Sequence, residues 1–293
     1  MEDLLEEIDS YKFSNLDDVI EFELNGVIEK ESNKAYTLDN MMLCVSCLDY
    51  TTLKVSDTED SVRNFATDLC KKTERYRLPE VASLCVYPNF IPVVKKELAG
   101  TGIHTDTVAA AFPSGQSTIR VKMEECRDVV QAGADEIDVV IRVGAIVSGA
   151  YREAYEELKA IREICRGKCL KVILETGELK TSESLFKAAL TAMYAGADFI
   201  KTSTGKTPVG ATPEAVYIMA EAVKQYYERT GRKVGLKVSG GISKVTNAVR
   251  YLSVLKHVLG DAWATPDLFR IGSSLLLDNL IKEISALRDA DSQ

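Results

Sequence analysis

Two lysines stand inside short apolar runs of this 293-residue chain, Lys201 in Asp198-Phe-Ile-Lys-Thr202 and Lys237 in Val234-Gly-Leu-Lys-Val238. Two aspartates share that setting, Asp138 in Glu136-Ile-Asp-Val-Val140 and Asp49 at the end of the run 43–49. Burying an unpaired charge is costly, so four such residues in apolar runs imply a task that repays the cost. A lysine close to a second ammonium and partly desolvated titrates below its usual value of about 10.4. Its neutral amine attacks a carbonyl to form a Schiff base. Asp138 beside that adduct could accept and return protons. The protonated imine is an electron sink, which permits C–C cleavage with no metal and no organic cofactor.

The rest of the composition narrows the chemistry further. His104 and His257 are the only histidines, which disfavours histidine triads and histidine-rich metal sites. The seven cysteines are expected to be free thiols. The Cys44-x2-Cys47 pair lies in an apolar stretch and has no second pair, so it reads as core rather than zinc. A separate group of residues suggests phosphate. Gly205-Lys206 follows the Lys201 run, Gly240-Gly241 follows the Lys237 run, and Gly272-Ser273-Ser274 ends the last apolar run. Glycines expose backbone N–H groups, and Ser273-Ser274 are placed to open the final helix, whose N-terminus favours an anion.

Eight short β-branched runs, at 43–49, 82–87, 107–112, 136–141, 170–176, 198–202, 234–239 and 268–272, alternate with amphipathic stretches. Alternating strand and helix implies a parallel sheet, and eight units in about 250 residues match an α/β fold, the (β/α)8 TIM barrel. The first loop, Asp49-Tyr-Thr-Thr-Leu53, has no glycine for a dinucleotide-binding turn, which disfavours a doubly wound sheet. In a barrel, the polar residues at the strand ends would converge on one mouth. Residues 41–293 are therefore expected to form the catalytic barrel.

Residues 1–40 fall outside this rhythm. They hold 12 Asp/Glu against 3 Lys, so the chain's net charge of −8 leaves the remainder close to neutral. Leu4, Leu5 and Ile8, then Leu16, Val19 and Ile20, allow amphipathic helices. This N-terminal helical extension is expected to pack on the barrel or at a contact within a homo-oligomer. Acidity argues against nucleic acid as a partner. No apolar run reaches the roughly 20 residues that span a bilayer, and the acidic N-terminus is unlike a targeting peptide, so a cytoplasmic location and no membrane partner are expected.

The chain resembles the deoxyribose-phosphate aldolases, a class I (Schiff-base) aldolase family, over roughly residues 43–280. The strongest match is Gly196-Ala-Asp-Phe-Ile-Lys-Thr-Ser-Thr-Gly-Lys206, similar to the family's Schiff-base segment. Leu48-Asp-Tyr-Thr-Thr-Leu53, Cys85-Val-Tyr-Pro-Asn-Phe90, Ala111-Phe-Pro-Ser-Gly115, Gly133-Ala-Asp-Glu-Ile-Asp-Val-Val140 and Glu175-Thr-Gly-Glu-Leu-Lys180 resemble its other segments, in order. The resemblance implies reversible cleavage of 2-deoxyribose 5-phosphate to glyceraldehyde 3-phosphate and acetaldehyde. It implies Lys201 as nucleophile, Asp138 and Lys237 as a proton relay with water, and Asp49 organising the substrate hydroxyls and the neighbouring lysine. It further implies Thr204, Gly205, Lys206, Gly240, Gly241, Ser273 and Ser274 around the phosphosugar, with Cys85 lining the pocket. Where many relatives continue Lys-Pro-Ala-Gly-Gly, this chain has Lys237-Val238-Ser239-Gly-Gly. A transaldolase-like enzyme and a non-catalytic phosphosugar-binding barrel are the rival readings.

Overall fold

The computed structural model describes residues 2–13 and 16–291. Eight parallel strands close into a barrel in chain order: β1 Leu48–Thr51, β2 Ser83–Val86, β3 His104–Ala109, β4 Glu136–Val140, β5 Cys169–Ile173, β6 Phe199–Lys201, β7 Gly235–Ser239 and β8 Phe269–Ser273. Helices cover the outer face, so the strands are buried on both sides and read as nearly continuous apolar runs. This is the (β/α)8 barrel expected from the alternation.

Two runs divide differently from expectation. Residues 43–46 belong to a helix, Leu38–Ser46, capped by Thr37, and β1 begins only at Leu48. Met41, Cys44 and Val45 are fully buried from that helix, and a short run buried in this way cannot be told from a strand by composition. The same helix crosses residue 40, so the extension runs into the barrel without a break. The third strand starts and ends earlier than the run at 107–112, because Ala110 and Ala111 both take positive φ (59° and 60°) and leave the sheet.

The helices start where the caps lie. Thr58 and Ser61 form a reciprocal capping box at the helix Glu59–Arg75. Thr212 caps the helix Pro213–Thr230, with Pro213 in its first turn. Gly133 and Gly196, each followed by Ala-Asp, share one local solution. Each glycine adopts left-handed backbone (φ 93° and 102°) and lets the next residue bond back into the helix, Ala134 to Val129 and Ala197 to Ala192. The aspartate that follows then clamps the preceding strand: Asp135 accepts from Thr105 N–H at 3.0 Å, and Asp198 accepts from Leu170 N–H at 2.9 Å.

The acidic extension lies along the outer helices. Helix Glu2–Asp9 packs on helix Ser182–Tyr194, helix Leu16–Glu23 on Pro213–Thr230, and the π-turn Leu24–Ile28 with helix Glu29–Lys34 on Val245–Leu259. Its acids meet bases there: Asp9 with Lys187 at 2.6 Å, Glu7 with Arg229 at 3.0 Å, and Glu23 and Glu31 with His257. Ile8 and Ile20 are buried as expected, whereas Val19 is exposed. The side chains of Leu4, Leu5 and Leu16 lie outside the described residues. Among the described residues no helix is long and apolar enough to cross a membrane.

Candidate active site

The register of the closed barrel brings the charged residues together. Asp138 pairs with Lys171, Lys201 with Lys237, and Lys237 with Arg270. Inside the barrel, Asp138 is the hub. Its Oδ2 accepts from Lys201 Nζ and from Lys237 Nζ, each at 2.7 Å, and its Oδ1 accepts from Lys171 Nζ at 2.9 Å. Lys237 Nζ also lies 2.5 Å from Asp49 and 3.0 Å from Asp106. Lys171 reaches Glu136 at 2.7 Å and Asp106 at 2.9 Å. Arg270 closes the lower end, holding Asp49 at 2.7 Å and both oxygens of Glu136 at 2.8 and 2.9 Å.

This interior therefore holds four carboxylates (Asp49, Asp106, Glu136, Asp138) and four cationic side chains (Lys171, Lys201, Lys237, Arg270), all buried. Charge in such a setting survives only through pairing. Burial opposes the Asp138 charge, but Lys171, Lys201 and Lys237 outweigh it and hold the carboxyl well below the usual range. Asp49 is likewise opposed by burial, then brought down to about 2 by Lys237, Arg270 and Lys171. Lys237 is opposed by burial and held well above the ordinary lysine value by Asp106, Asp138 and Asp49, so it stays an ammonium beside Lys201. That second positive charge is what the sequence reading placed there.

Above the cluster opens a cavity of about 290 Å³. Lys201 reaches its wall, together with Thr204, Gly205, Lys206, Gly240, Gly241, Ser273 and Ser274. The expected phosphosugar residues thus surround one space, with the expected nucleophile on its floor. Asp49, Cys85, Asp138 and Lys237 stand behind that wall, fully buried. Asp49 faces Lys237 and Arg270 rather than the cavity. Cys85 packs with Leu53 and Val108, against Tyr87 and Phe112, and burial pushes its thiol well above its ordinary value. It is neither a cavity-lining group nor a ready nucleophile in this structure.

The final helix starts at Leu276, later than Ser273-Ser274 suggested. The Ser273 hydroxyl is used as its cap: it accepts from Leu275 and Leu276 N–H at 3.1 Å and donates to Ile242 O at 2.5 Å. Lys206 crosses the mouth and donates to the Leu53 carbonyl. Gly205, Gly240 and Gly241 all take positive φ (74°, 94° and 74°), the conformation for which glycine is suited. A Cβ on Gly210 would sit 2.2 Å from Gly240 O, so the loops after β6 and β7 cross at bare backbone. Ser239, at the departure from the common Pro-Ala pattern, donates to Ser203 O at 2.5 Å, and its N–H bonds Thr202 Oγ1 at 3.0 Å. The departure thus ties the ends of β6 and β7 together.

Lys171, Asp106, Glu136 and Arg270 were not singled out from sequence. The signal was the one that exposed Lys201: a charge inside an apolar strand, as in Cys169-Leu-Lys-Val-Ile173. Glu175 was also missed as a side chain. It is buried with φ 55°, and its carboxylate accepts from Thr204 Oγ1 at 2.5 Å and Thr207 Oγ1 at 3.2 Å, fixing the loop that carries Lys206.

A buried ammonium–carboxylate cluster under a glycine-walled cavity at the C-terminal mouth of a barrel suits Schiff-base chemistry on a phosphorylated carbonyl compound. Comparison with known proteins agrees. Residues 45–261 match the model of the DeoC/LacD family aldolases. The chain is 38% identical over 273 residues to the deoxyribose-phosphate aldolase of Homo sapiens, covering 88% of this chain and 83% of that one. It is 39% identical over 268 residues to that of Mus musculus, again covering 88% and 83%. Among solved structures, the tetrameric deoxyribose phosphate aldolase of Aeropyrum pernix superposes with a TM-score of 0.69 at 26% identity, covering 89% of this chain and 97% of that one. Fold, site and sequence agree that the chain belongs to the DeoC/LacD family of aldolases.

Proposed function

We propose that the chain is a deoxyribose-phosphate aldolase, cleaving 2-deoxyribose 5-phosphate reversibly to glyceraldehyde 3-phosphate and acetaldehyde. The observation that carries this reading is Lys201, which lines the cavity while its Nζ sits 2.7 Å from buried Asp138. The neutral Lys201 amine attacks the sugar's C1 aldehyde, and loss of water gives the iminium. A base then removes the proton from the C3 hydroxyl, the C2–C3 bond breaks, and its electrons pass into the iminium as an enamine. Protonation of that enamine and hydrolysis release acetaldehyde and regenerate Lys201. Asp138, bridging Lys201 and Lys237, is placed to serve these transfers through a water. Lys206 and the backbone N–H groups at Gly205, Gly240 and Gly241 would hold the phosphate.

The direct test is release of acetaldehyde from 2-deoxyribose 5-phosphate, with and without chelator. Chelator-resistant release is expected. Reaction only with a ketose phosphate would indicate a transaldolase-like enzyme, and sugar-phosphate binding without turnover would indicate a non-catalytic barrel.

The crossing at Gly210 gives a prediction about the phosphate end. A methyl there must push the Gly240 backbone aside, at a cost of roughly 1–3 kcal/mol for overpacking. Gly210→Ala is expected to raise KM by about tenfold or more with little change in kcat. Steady-state kinetics check this, and a fall confined to kcat would contradict the placement of phosphate at that loop.

A further inference from the structure

Asp106 has no part in the scheme above, yet it lies at the centre of the charged cluster. It is fully buried on β3. Lys171 and Lys237 both bond its Oδ2, at 2.9 and 3.0 Å, while its Oδ1 is buried with no hydrogen-bond partner. An ionised carboxylate with one oxygen uncompensated in a low-dielectric interior is costly, and a proton that neutralises the group lessens that cost.

Hydrogen bonds join Asp106 to the nucleophile without a gap: Lys201 Nζ to Asp138 Oδ2, Lys237 Nζ to Asp138 Oδ2, and Lys237 Nζ to Asp106 Oδ2. We propose that Asp106 holds the proton that Lys201 gives up to become a nucleophile. Lys201 passes a proton to Asp138 Oδ2; Lys237 hands one of its own to Asp106 and takes Asp138's in return. Asp138 ends as a carboxylate, Lys237 as an ammonium, Lys201 as a neutral amine and Asp106 as a carboxylic acid. No proton leaves the interior. When the carbinolamine loses its hydroxyl as water, the proton returns by the reverse path, so iminium formation needs no net exchange with solvent. The proposal rests on the Schiff-base reading and extends it.

Charge accounting favours this route. With Lys201 protonated, the interior balances four carboxylates against four cations. A neutral Lys201 with every acid ionised would leave one buried negative charge unmatched, whereas protonating Asp106 restores three against three. Other carboxyls are poorer stores. Asp49, Glu136 and Asp138 are each held below the usual range by cationic neighbours that outweigh their burial. Asp106 alone among the four is displaced upward, by burial first and then by Asp138. The groups facing it are Asp49 from β1, Cys85 from β2, Asp138 from β4, Lys171 from β5 and Lys237 from β7. Arg270 joins the cluster through both Asp49 and Glu136, and His104 through Glu136.

The test is the rate at which acetaldehyde and cyanoborohydride label Lys201, followed from about pH 6 to about pH 9. The unmutated protein is expected to show a flat profile. Asp106→Asn keeps an oxygen acceptor but cannot store the proton, so labelling should slow about tenfold or more at neutral pH and approach the parent rate at high pH. Labelling of Asp106→Asn that is equal or faster at neutral pH would overturn the proposal, because removing a negative charge by itself favours the neutral amine. A reduction by the same factor at every pH would also overturn it, since that marks a packing role. Should Asp106→Asn not fold, Asp106→Glu retains an acid and must keep the flat profile; a rising one contradicts the assignment. If Lys201 of the unmutated protein takes no label, the Schiff-base reading falls as well. A labelled parent with an unaltered variant removes only the role of Asp106.

Discussion

Lys201→Met is expected to lower kcat for 2-deoxyribose 5-phosphate by about 10⁴ or more, while sugar-phosphate binding survives. Methionine fills nearly the volume of the lysine stem, so the cavity floor keeps its shape. The loops that would hold the phosphate are anchored elsewhere: Glu175 fastens Thr204 and Thr207, Ser239 ties β7 to Ser203, and Gly210 meets Gly240. Asp138 retains Lys237 and Lys171, so the hub remains paired when Lys201 leaves. Only the amine is lost. Calorimetric titration with the sugar phosphate should therefore change by far less than turnover. A kcat within tenfold of the parent would mean that another group carries the covalent step.

Asp138→Asn is expected to damage both folding and catalysis. The amide cannot balance the three ammonium groups that now share the carboxylate, and its N–H₂ end brings a donor where donors already crowd. Breaking a buried charge pair from one side costs about 3–5 kcal/mol, because the partner's charge is left uncompensated. Denaturant unfolding at neutral pH should show a loss of that size. Under native conditions kcat should fall by roughly 10²–10⁴, the usual contribution of a positioned general acid–base group. A variant of normal stability with reduced turnover would separate the two roles. One of normal turnover would remove Asp138 from the chemistry.

Much of this arrangement is legible in the residues. The eight runs, the capping threonines Thr58 and Thr212 and the paired glycines Gly133 and Gly196 are local signals, and local physics decides them. Lys201, Lys237, Asp138 and Asp49 stand out because a charge in an apolar strand is expensive. The same cost marks Lys171, Asp106, Glu136 and Arg270, and Lys171 holds the place in β5 that Asp138 holds in β4. Their mutual pairing exists only once the barrel closes and sets the register between strands. The helix Leu38–Ser46 illustrates the opposite limit. Met41, Cys44 and Val45 are buried while Leu38, Met42 and Leu43 are half-buried, and the composition of so short a run does not separate such a helix from the strand that follows. Cys85 stands near the cluster in space yet outside the cavity wall, a distinction of a few ångströms that residue type does not encode.

The most direct measurement is borohydride reduction of the unmutated protein in the presence of 2-deoxyribose 5-phosphate, followed by peptide mass mapping. A single adduct on the peptide carrying Lys201 is the predicted result. An adduct at Lys171 or Lys237 instead, or turnover that continues with no trapped lysine and stops with chelator, would contradict it.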